Sequence, residues 1–554
     1  MNRQFKNLVS KKVVNIQSTI FPTSSNVSAS TSFALLLCLS LSGCASLDFL
    51  KLDFLRDKTS PKETIANTKI APAWQAPLPH GGELSQLQSF WNQYQDPLLL
   101  ELIDKAQAES VNIATASTRI TEARANRVSA LSSLLPTLDT TLSSSKALQQ
   151  PAISSTGVTA IPANSGQTGG GQAAAFAFGG QAITTTQINA QAAWELDLFG
   201  ANRGLLRAAQ AREKAAQAGW HDARVAVAAE LATSYFNQRF CQMQLAINRN
   251  DAKSRAETAR VTEISYKAGF SASGAYQLAL AGAADTAQQV KAQQAQCDLG
   301  IKELVALTDL DEAVIRQKLA AASFIANENN QALFRIAELP ATIIAQRPDI
   351  VSAEADLMST AAEVKNTQVQ RLPKVSLNGS IGWMRLSGPG FKGEGEVWSL
   401  GPVSITLPIF DAGKRKANVD TTEAKYAEAA ANYRSKVRYA VKEVEDALVN
   451  LHASADRQND VQAALAGYQA SLSATEQKVN AGFANLIELE ENRRYALQAQ
   501  TSQVNILKDR NNAWIALYRA AGGGWQNSAS KDAQMKDSQA KDFQAKESQT
   551  KLSN

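Results

Sequence analysis

The decapeptide "YKAGFSASGA", Tyr266 to Ala275, interrupts a long stretch that otherwise reads as one continuous helix. The tripeptide Ala-Gly-Phe returns in "VNAGFANLIE", Val479 to Glu488, at an offset of 213 residues, and splits a second helical run. Glycine leaves the right-handed region of backbone space at least cost, so Gly269 and Gly482 each read as the turn of a helix folding back on itself. At a rise of ~1.5 Å per residue, Arg203 to Lys267 is a rod of about 96 Å and Lys414 to Asn480 one of about 99 Å. Rods of that length outrun any single core and need helical neighbours along their whole extent, as in a coiled coil. The small residues of "AAQAREKAAQAG" and "AEAAANYR" permit close approach, with Val225, Leu231 and Tyr235 as larger knobs.

Aligned on the two breaks, further pairs fall into register, the signature of an internal duplication. "LFGANR" (Leu198 to Arg203) answers "IFDAGKR" (Ile409 to Arg415) at 211–213 residues, and "LLP" ending at Pro136 answers "RLP" ending at Pro373 at 237. The extra length lies in the first copy, in the Gly/Ser/Ala-rich loop Pro151 to Gly180. The first repeat is expected over 74–332, with a β-hairpin at 135–198 and a helical hairpin turning near 269. The second is expected over 333–525, with a β-hairpin at 373–410 and a turn near 482.

The strand signal is alternation. In "QINAQAAWELDL" (Gln187 to Leu198), Ile188, Ala190, Ala192, Trp194, Leu196 and Leu198 share one face, and Gln187, Asn189, Gln191, Glu195 and Asp197 the other. "TLDTTL" (Thr137 to Leu142), "KVSLNGSIGW" (Lys374 to Trp383) and "VSITLPIF" (Val403 to Phe410) alternate similarly, the last until Pro408. About ten residues suffice for a tilted membrane strand, although a half-buried soluble hairpin gives the same pattern. Four strands cannot close a membrane barrel, for which ~8 is the smallest number, so entry into a membrane requires several chains. "GPGFKGEG" (Gly388 to Gly395) lies between two strands and is expected as an exposed hairpin loop.

At the N-terminus, a basic segment precedes the apolar run "FALLLCLSL" (Phe33 to Leu41), too short to span a bilayer as a helix, and then "LSGC". Leu41 to Cys44 resembles a bacterial lipobox. That implies a signal peptide over 1–43, diacylglycerol and an N-acyl chain on Cys44, and a lipidated linker over 44–73; Ala45 after the cysteine points to the outer membrane. Residues 1–43 hold Arg3, Lys6, Lys11 and Lys12 and no acid, so the net charge of +5 becomes 5 − 4 = +1 on the remainder. A nearly neutral chain offers no electrostatic case for nucleic acid. Beyond Cys44 the only cysteines are Cys241 and Cys297, each 28 residues from Gly269. An antiparallel hairpin turning there sets them opposite each other, and in an oxidising compartment a disulfide is expected in place of two separate thiols.

Together with the lipobox, "DPLLLELIDKA" (Asp96 to Ala106), "AWELDLFGANR" (Ala193 to Arg203), "LPATIIAQRPDIVSAEADL" (Leu339 to Leu357), "GPVSITLPIFDAGKRKA" (Gly401 to Ala417) and "ALYRAAGGGW" (Ala516 to Trp525) carry a family resemblance. The chain resembles the outer-membrane factors (TolC/OprM-like) of Gram-negative tripartite efflux systems, in particular the NodT-type lipoprotein branch serving RND pumps. The resemblance implies a mostly α protein with membrane β-structure. In a homotrimer, four strands per protomer build a 12-stranded outer-membrane β-barrel, continued by a long periplasmic α-helical barrel. It implies a passive exit duct for drugs or other small toxic compounds, partnered by a periplasmic membrane-fusion adaptor and an inner-membrane RND-type transporter, with outer-membrane lipid around the barrel. It also places adaptor contacts at the hairpin tips (Gly269, Phe270, Gly482, Phe483) and a periplasmic gate after the second glycine. In "LIELEENRR", Ile487 takes the apolar constriction position, and Glu491 the acidic position with Glu488 one turn earlier. Glu490 departs from the pattern, being acidic where an apolar residue is usual, and the alternative is that Glu488, Glu490 and Glu491 form a solvated helix face partly paired with Arg493 and Arg494.

An enzyme finds little support: His80, His221 and His452 lack metal-ligand spacing, and neither a nucleophile elbow nor a P-loop is present. No cofactor or metal is expected. The competing reading is a periplasmic coiled-coil adaptor lipoprotein, which usually carries one helical hairpin between β-rich domains. The segment 526–554 repeats lysine at 531, 536, 541, 546 and 551. A five-residue period scatters charge around any helix, so a disordered tail is expected.

Overall fold

The computed structural model of the chain describes residues 59–68, 90–149, 181–322 and 344–524. They belong to one compact unit, Asp57–Asn554; a second unit covers Met1–Arg56. The expected signal peptide, Cys44, the loop 151–180 and the tail 526–554 lie outside the described residues.

The element order is α1 (Pro61–Ala66), α2 (Pro97–Glu109), α3 (Val111–Ser132), β1 (Thr137–Gln149), β2 (Gln181–Leu196), α4 (Ala201–Lys267), α5 (Ser273–Thr308) and α6 (Glu312–Ala321). It continues with α7 (Pro348–Val369), β3 (Lys374–Gly388), β4 (Phe391–Thr406), α8 (Lys414–Asn480) and α9 (Leu486–Ala520). Within the expected linker, α1 is folded rather than free. Ser60 caps it, and the Thr64 hydroxyl meets the Tyr426 hydroxyl on α8 at 3.1 Å.

Helices α4 and α8 are each 67 residues, about 100 Å long at the helical rise. Their return helices α5 and α9 have 36 and 35 residues, roughly half that reach. The two hairpins are of nearly equal reach, and in each the return helix pairs only the far half of the rod. The near halves are packed by α3 and α7 instead: α3 lies on α4, and α7 lies between α4 and α8.

Where the return helices stop, the core thickens. Leu99 and Leu102 of α2, Leu231, Tyr235 and Phe236 of α4, Leu304 of α5 and Ile315 of α6 are buried in one cluster. Phe90, Val444, Leu448, Trp514, Leu517 and Tyr518 form a second. The sequence builds this knot deliberately. Asp96 caps α2 by accepting from Leu98 N (3.0 Å) and Leu99 N (3.3 Å), with Pro97 at the first helical position, and its second oxygen accepts from the Tyr235 hydroxyl. Arg347, 7% exposed, donates to the Ala520 carbonyl (2.9 Å), Asp349 (2.9 Å) and Glu443 (2.8 Å). It passes so close to Gly522 that a Cβ there would sit 3.1 Å from the Arg347 Cα.

The four strands form one antiparallel sheet in the order β1-β2-β3-β4. Register separates its faces into rows. On one face, Leu196, Val375 and Ile405 align; then Trp194, Leu377 and Val403; then Leu138, Ala192, Gly379 and Leu400. Thr140, Ala190, Ile381 and Trp398 follow, and then Leu142, Ile188, Trp383 and Glu396. The opposite face carries Asp139, Gln191, Ser380 and Ser399, with Asn189 and Thr141 in the next row, and Ser376 bonded to Ser404 at 2.6 Å. "GPGFKGEG" is not a loop: only Pro389 and Gly390 separate β3 from β4, and Phe391 to Gly395 pair with β3. Likewise β1 runs to Gln149, beyond the apolar alternation, because its Ser/Lys residues continue the ladder with β2.

Candidate functional site

Each helical hairpin ends in the same turn. Gly269 has φ +75°, its N–H donates to Tyr266 O (2.9 Å), and Phe270 N donates to Ser265 O (2.9 Å). In the second hairpin Gly482 has φ +78°, its N–H donating to Val479 O (3.0 Å), and Phe483 N donates to Lys478 O (2.8 Å). This crossed pair of bonds is the Schellman C-terminal motif, which requires a left-handed residue at the glycine position. An added Cβ would meet nothing within 4 Å at either glycine, so conformation alone, not space, selects glycine. In that motif an apolar residue usually folds back onto the helix. Phe270 and Phe483 do not: they are 88% and 86% exposed at the two tips.

Beyond the second turn, Asn485 caps α9 by accepting from Glu488 N at 2.8 Å. Ile487, Glu488 and Glu491 are exposed, and Glu491 accepts from the Tyr495 hydroxyl at 3.2 Å. Glu490 behaves differently. Its Oε2 accepts from Arg255 Nη1 of α4 (2.8 Å), and its Oε1 from Arg493 Nη1 (2.9 Å). Arg493 also donates to the Thr258 hydroxyl of α4 and lies 3.8 Å from Glu476 of α8, while Arg255 is held by Asp251 at 3.1 Å. These charges, with side chains 8–25% exposed apart from the Glu476 end, tie α4, α8 and α9 together one to two turns above the second tip. Sequence reasoning missed this clasp. Pairing of the acids with Arg493 is open to a local reading, but Arg255 and Glu490 are 235 residues apart and nothing local connects them.

Between α5 and α9, a groove of about 640 Å³ opens beside the clasp, lined by Leu278, Ala275, Leu486 and Ile487 and rimmed by Arg255, Glu490, Glu491 and Arg494. Farther along the first hairpin, Cys241 and Cys297 are disulfide-bonded with Cα atoms 5.6 Å apart, across a separation of 56 residues. No such bond links α8 and α9. There, the buried Arg510 donates to Gln458 instead.

At the opposite end, both long helices begin on the same device. Asp197 accepts from Asn202 N (3.2 Å) and Arg203 N (2.9 Å), and Asp411 from Gly413 N and Arg415 N, both at 3.1 Å. Burial pushes the Asp197 carboxyl up, but the bonds from Arg203 and Asn202 outweigh it and hold it below its ordinary value. Among the described residues no helix is long and apolar enough to cross a membrane, and no group of His, Cys, Asp and Glu is placed to hold a metal ion.

A four-stranded sheet with one largely apolar face is continued by rods of about 100 Å that turn back at exposed phenylalanines, an architecture of sheet and coiled coil. A family model described as "Outer membrane efflux protein" matches residues 102–310 and 339–523, and the chain belongs to that family. It is 29% identical over 439 residues to the solvent efflux pump outer membrane protein SrpC of Pseudomonas putida, covering 78% of this chain and 87% of that one. It is 28% identical over 351 residues to nodulation protein T of Rhizobium leguminosarum bv. viciae, covering 62% and 71%. In fold it matches the outer membrane channel CmeC of Campylobacter jejuni with a TM-score of 0.67 at 23% identity, over 84% of this chain and 93% of that one. The chain is an outer-membrane efflux protein with a large periplasmic portion.

Proposed function

We propose that the chain is one third of a passive outer-membrane exit duct. Three copies pair β1 of one protomer with β4 of the next and close a 12-stranded barrel. The rods of all three form the periplasmic α-barrel, and each protomer is an internal duplication. The carrying observation is the sheet itself. Within it β1 and β4 each have a neighbour on one side only, while one face is apolar through the five rows from Leu196 to Leu142 apart from Thr140 and Glu396. Eight residue steps from Leu196 to Ile188 are about 27 Å of strand, or about 21 Å of height at a tilt of ~40°, close to the ~25 Å apolar band of outer-membrane barrels. Such a sheet cannot stay unpaired in lipid, where every backbone group needs a partner.

The opposite face, with serine, asparagine and glutamine, faces the conduit. Phe270 and Phe483 present the tips to a periplasmic adaptor, through which an inner-membrane RND-type transporter delivers small toxic compounds. Ile487, Glu488 and Glu491 form the constriction: threefold symmetry brings like charges together on the axis, attracting cations and opposing anions. Cys44 carries the lipid that anchors the chain. None of these roles needs catalysis or a cofactor.

The test is unheated gel electrophoresis with planar-bilayer recording. The expected result is a heat-modifiable trimer with low conductance, whose conductance or cation selectivity changes in Glu488→Ala/Glu491→Ala. A monomer extracted by carbonate overturns the duct and favours the adaptor reading; a trimer with unchanged conductance overturns only the constriction.

A further inference from the structure

Above the apolar rows the same outward face changes character. The next row aligns Ser144, Thr186, Arg385 and Glu394, with Ser144 and Thr186 hydroxyls 3.1 Å apart and Arg385 3.7 Å from Glu394. The row beyond it aligns Lys146, Thr184, Ser387 and Lys392, one residue from each strand. Both lysines are exposed. Arg385 shares its charge with Glu394, whereas neither lysine has a carboxylate within ion-pair range among the described residues. Tryptophans Trp383 and Trp398 lie just below, at the level where aromatic side chains mark a membrane–water boundary.

We propose that this belt is a docking surface for the phosphates of a diphosphorylated glycolipid in the outer leaflet. The inference rests on the membrane-barrel reading above. Its dimension is set by register: from Lys146 on β1 to Lys392 on β4 is three strand spacings of ~4.8 Å, or about 14 Å. That is the reach of a disaccharide with a phosphate at each end. The Thr184 and Ser387 hydroxyls between the lysines meet the sugar. The acyl chains run down over Leu142, Ile188 and Trp398 on the side of that row away from Glu396, toward the apolar rows below. A lipid with a single phosphate occupies one lysine and leaves the other unused, which is why the two-phosphate headgroup is the better fit. Ammonium groups at a lipid surface attract phosphate as compact, long-reaching point charges, and each adds to affinity independently.

The experiment uses the full-length detergent-solubilised protein and native mass spectrometry with three probes: diphosphorylated lipid A, lipid A stripped of phosphate, and phosphatidylglycerol. Wild type is expected to retain the diphosphorylated form about tenfold more tightly than the stripped form, and more tightly than phosphatidylglycerol. Lys146→Gln/Lys392→Gln loses that preference, and Lys146→Arg/Lys392→Arg keeps it. Equal retention of all three probes by wild type overturns the proposal, as does a preference that survives in the double glutamine variant. Retention of phosphatidylglycerol as tight as the diphosphorylated form reduces the belt to a general anionic surface and overturns the two-phosphate fit. A heat-modifiable assembly showing no phosphate preference sinks this inference alone; absence of any such assembly sinks the barrel reading and this one with it.

Discussion

Glu490→Gln is the perturbation that most directly probes the tip. The carboxylate accepts from two guanidinium groups, Arg255 at 2.8 Å and Arg493 at 2.9 Å. Hydrogen bonds to charged groups contribute about 1.5–3 kcal/mol each when well buried. These groups are 13–25% exposed, so the lower end applies, and the amide keeps one weak acceptor. A net loss of about 2 kcal/mol follows, a factor of roughly 30 in the local opening equilibrium between α4 and α9. Hydrogen exchange read by mass spectrometry on peptides covering 251–260 and 486–496 measures that factor directly. Arg255→Gln produces a similar loss. The double variant costs more than either single one but less than their sum, because the Arg255–Glu490 contact is shared while the contacts of Glu490 with Arg493 and of Arg255 with Asp251 are not. Protection unchanged within about twofold in Glu490→Gln, or single effects that add in full, refutes the clasp.

Other changes have equally definite outcomes. Gly269→Ala and Gly482→Ala each destabilise their hairpin by about 1–2 kcal/mol from backbone conformation alone, while asparagine costs less; thermal melts of the assembly check this. Cys241→Ser/Cys297→Ser, releasing a closure of 56 residues, lowers stability by about 4 kcal/mol in denaturant titration, and thiol labelling of the unfolded, non-reduced wild type finds neither cysteine free. Burial, and then the neighbouring Asp349, raise the Asp222 carboxyl above its ordinary value of 3.8. A raised folded-state pKa means that the ionised carboxylate is penalised once pH climbs past that ordinary value. Asp222→Asn is therefore more stable than wild type at neutral pH, and the gain vanishes as pH falls below about 4, as paired melts at the two pH values will show.

Much of this architecture was legible in the chain because it is periodic and local. The Ala-Gly-Phe breaks are Schellman turns whose bonds span only six residues, and the start of each rod is a local aspartate device in "ELDLFGANR" and "IFDAGKR". Alternation located the strands because one face is apolar, and it under-read β1 and β4 where that face turns to serine, lysine and glutamate. The halfway ends of α5 and α9 were only partly legible. Local breaks mark where they stop, Asp309 at φ +53° after α5 and the positive-φ run Gly522 to Gly524 after α9, but the contacts with α2, α6 and the Phe90 cluster that make those stops the thickened core are distant in sequence. The tip acids share one run, "IELEENRR", with the same residue type at three positions. Only folding turns Glu490 toward Arg255 and leaves Glu488 and Glu491 exposed.

The one covalent cross-link among the described residues also bears on the order of assembly. It lies wholly inside one hairpin, between α4 and α5, so its formation needs no second subunit. A newly exported chain can therefore oxidise and rigidify its first arm while still solitary, whereas the second arm has no such bond among the described residues. On the proposed trimer, the chain meets its two partners with one arm already set and one still free to adjust.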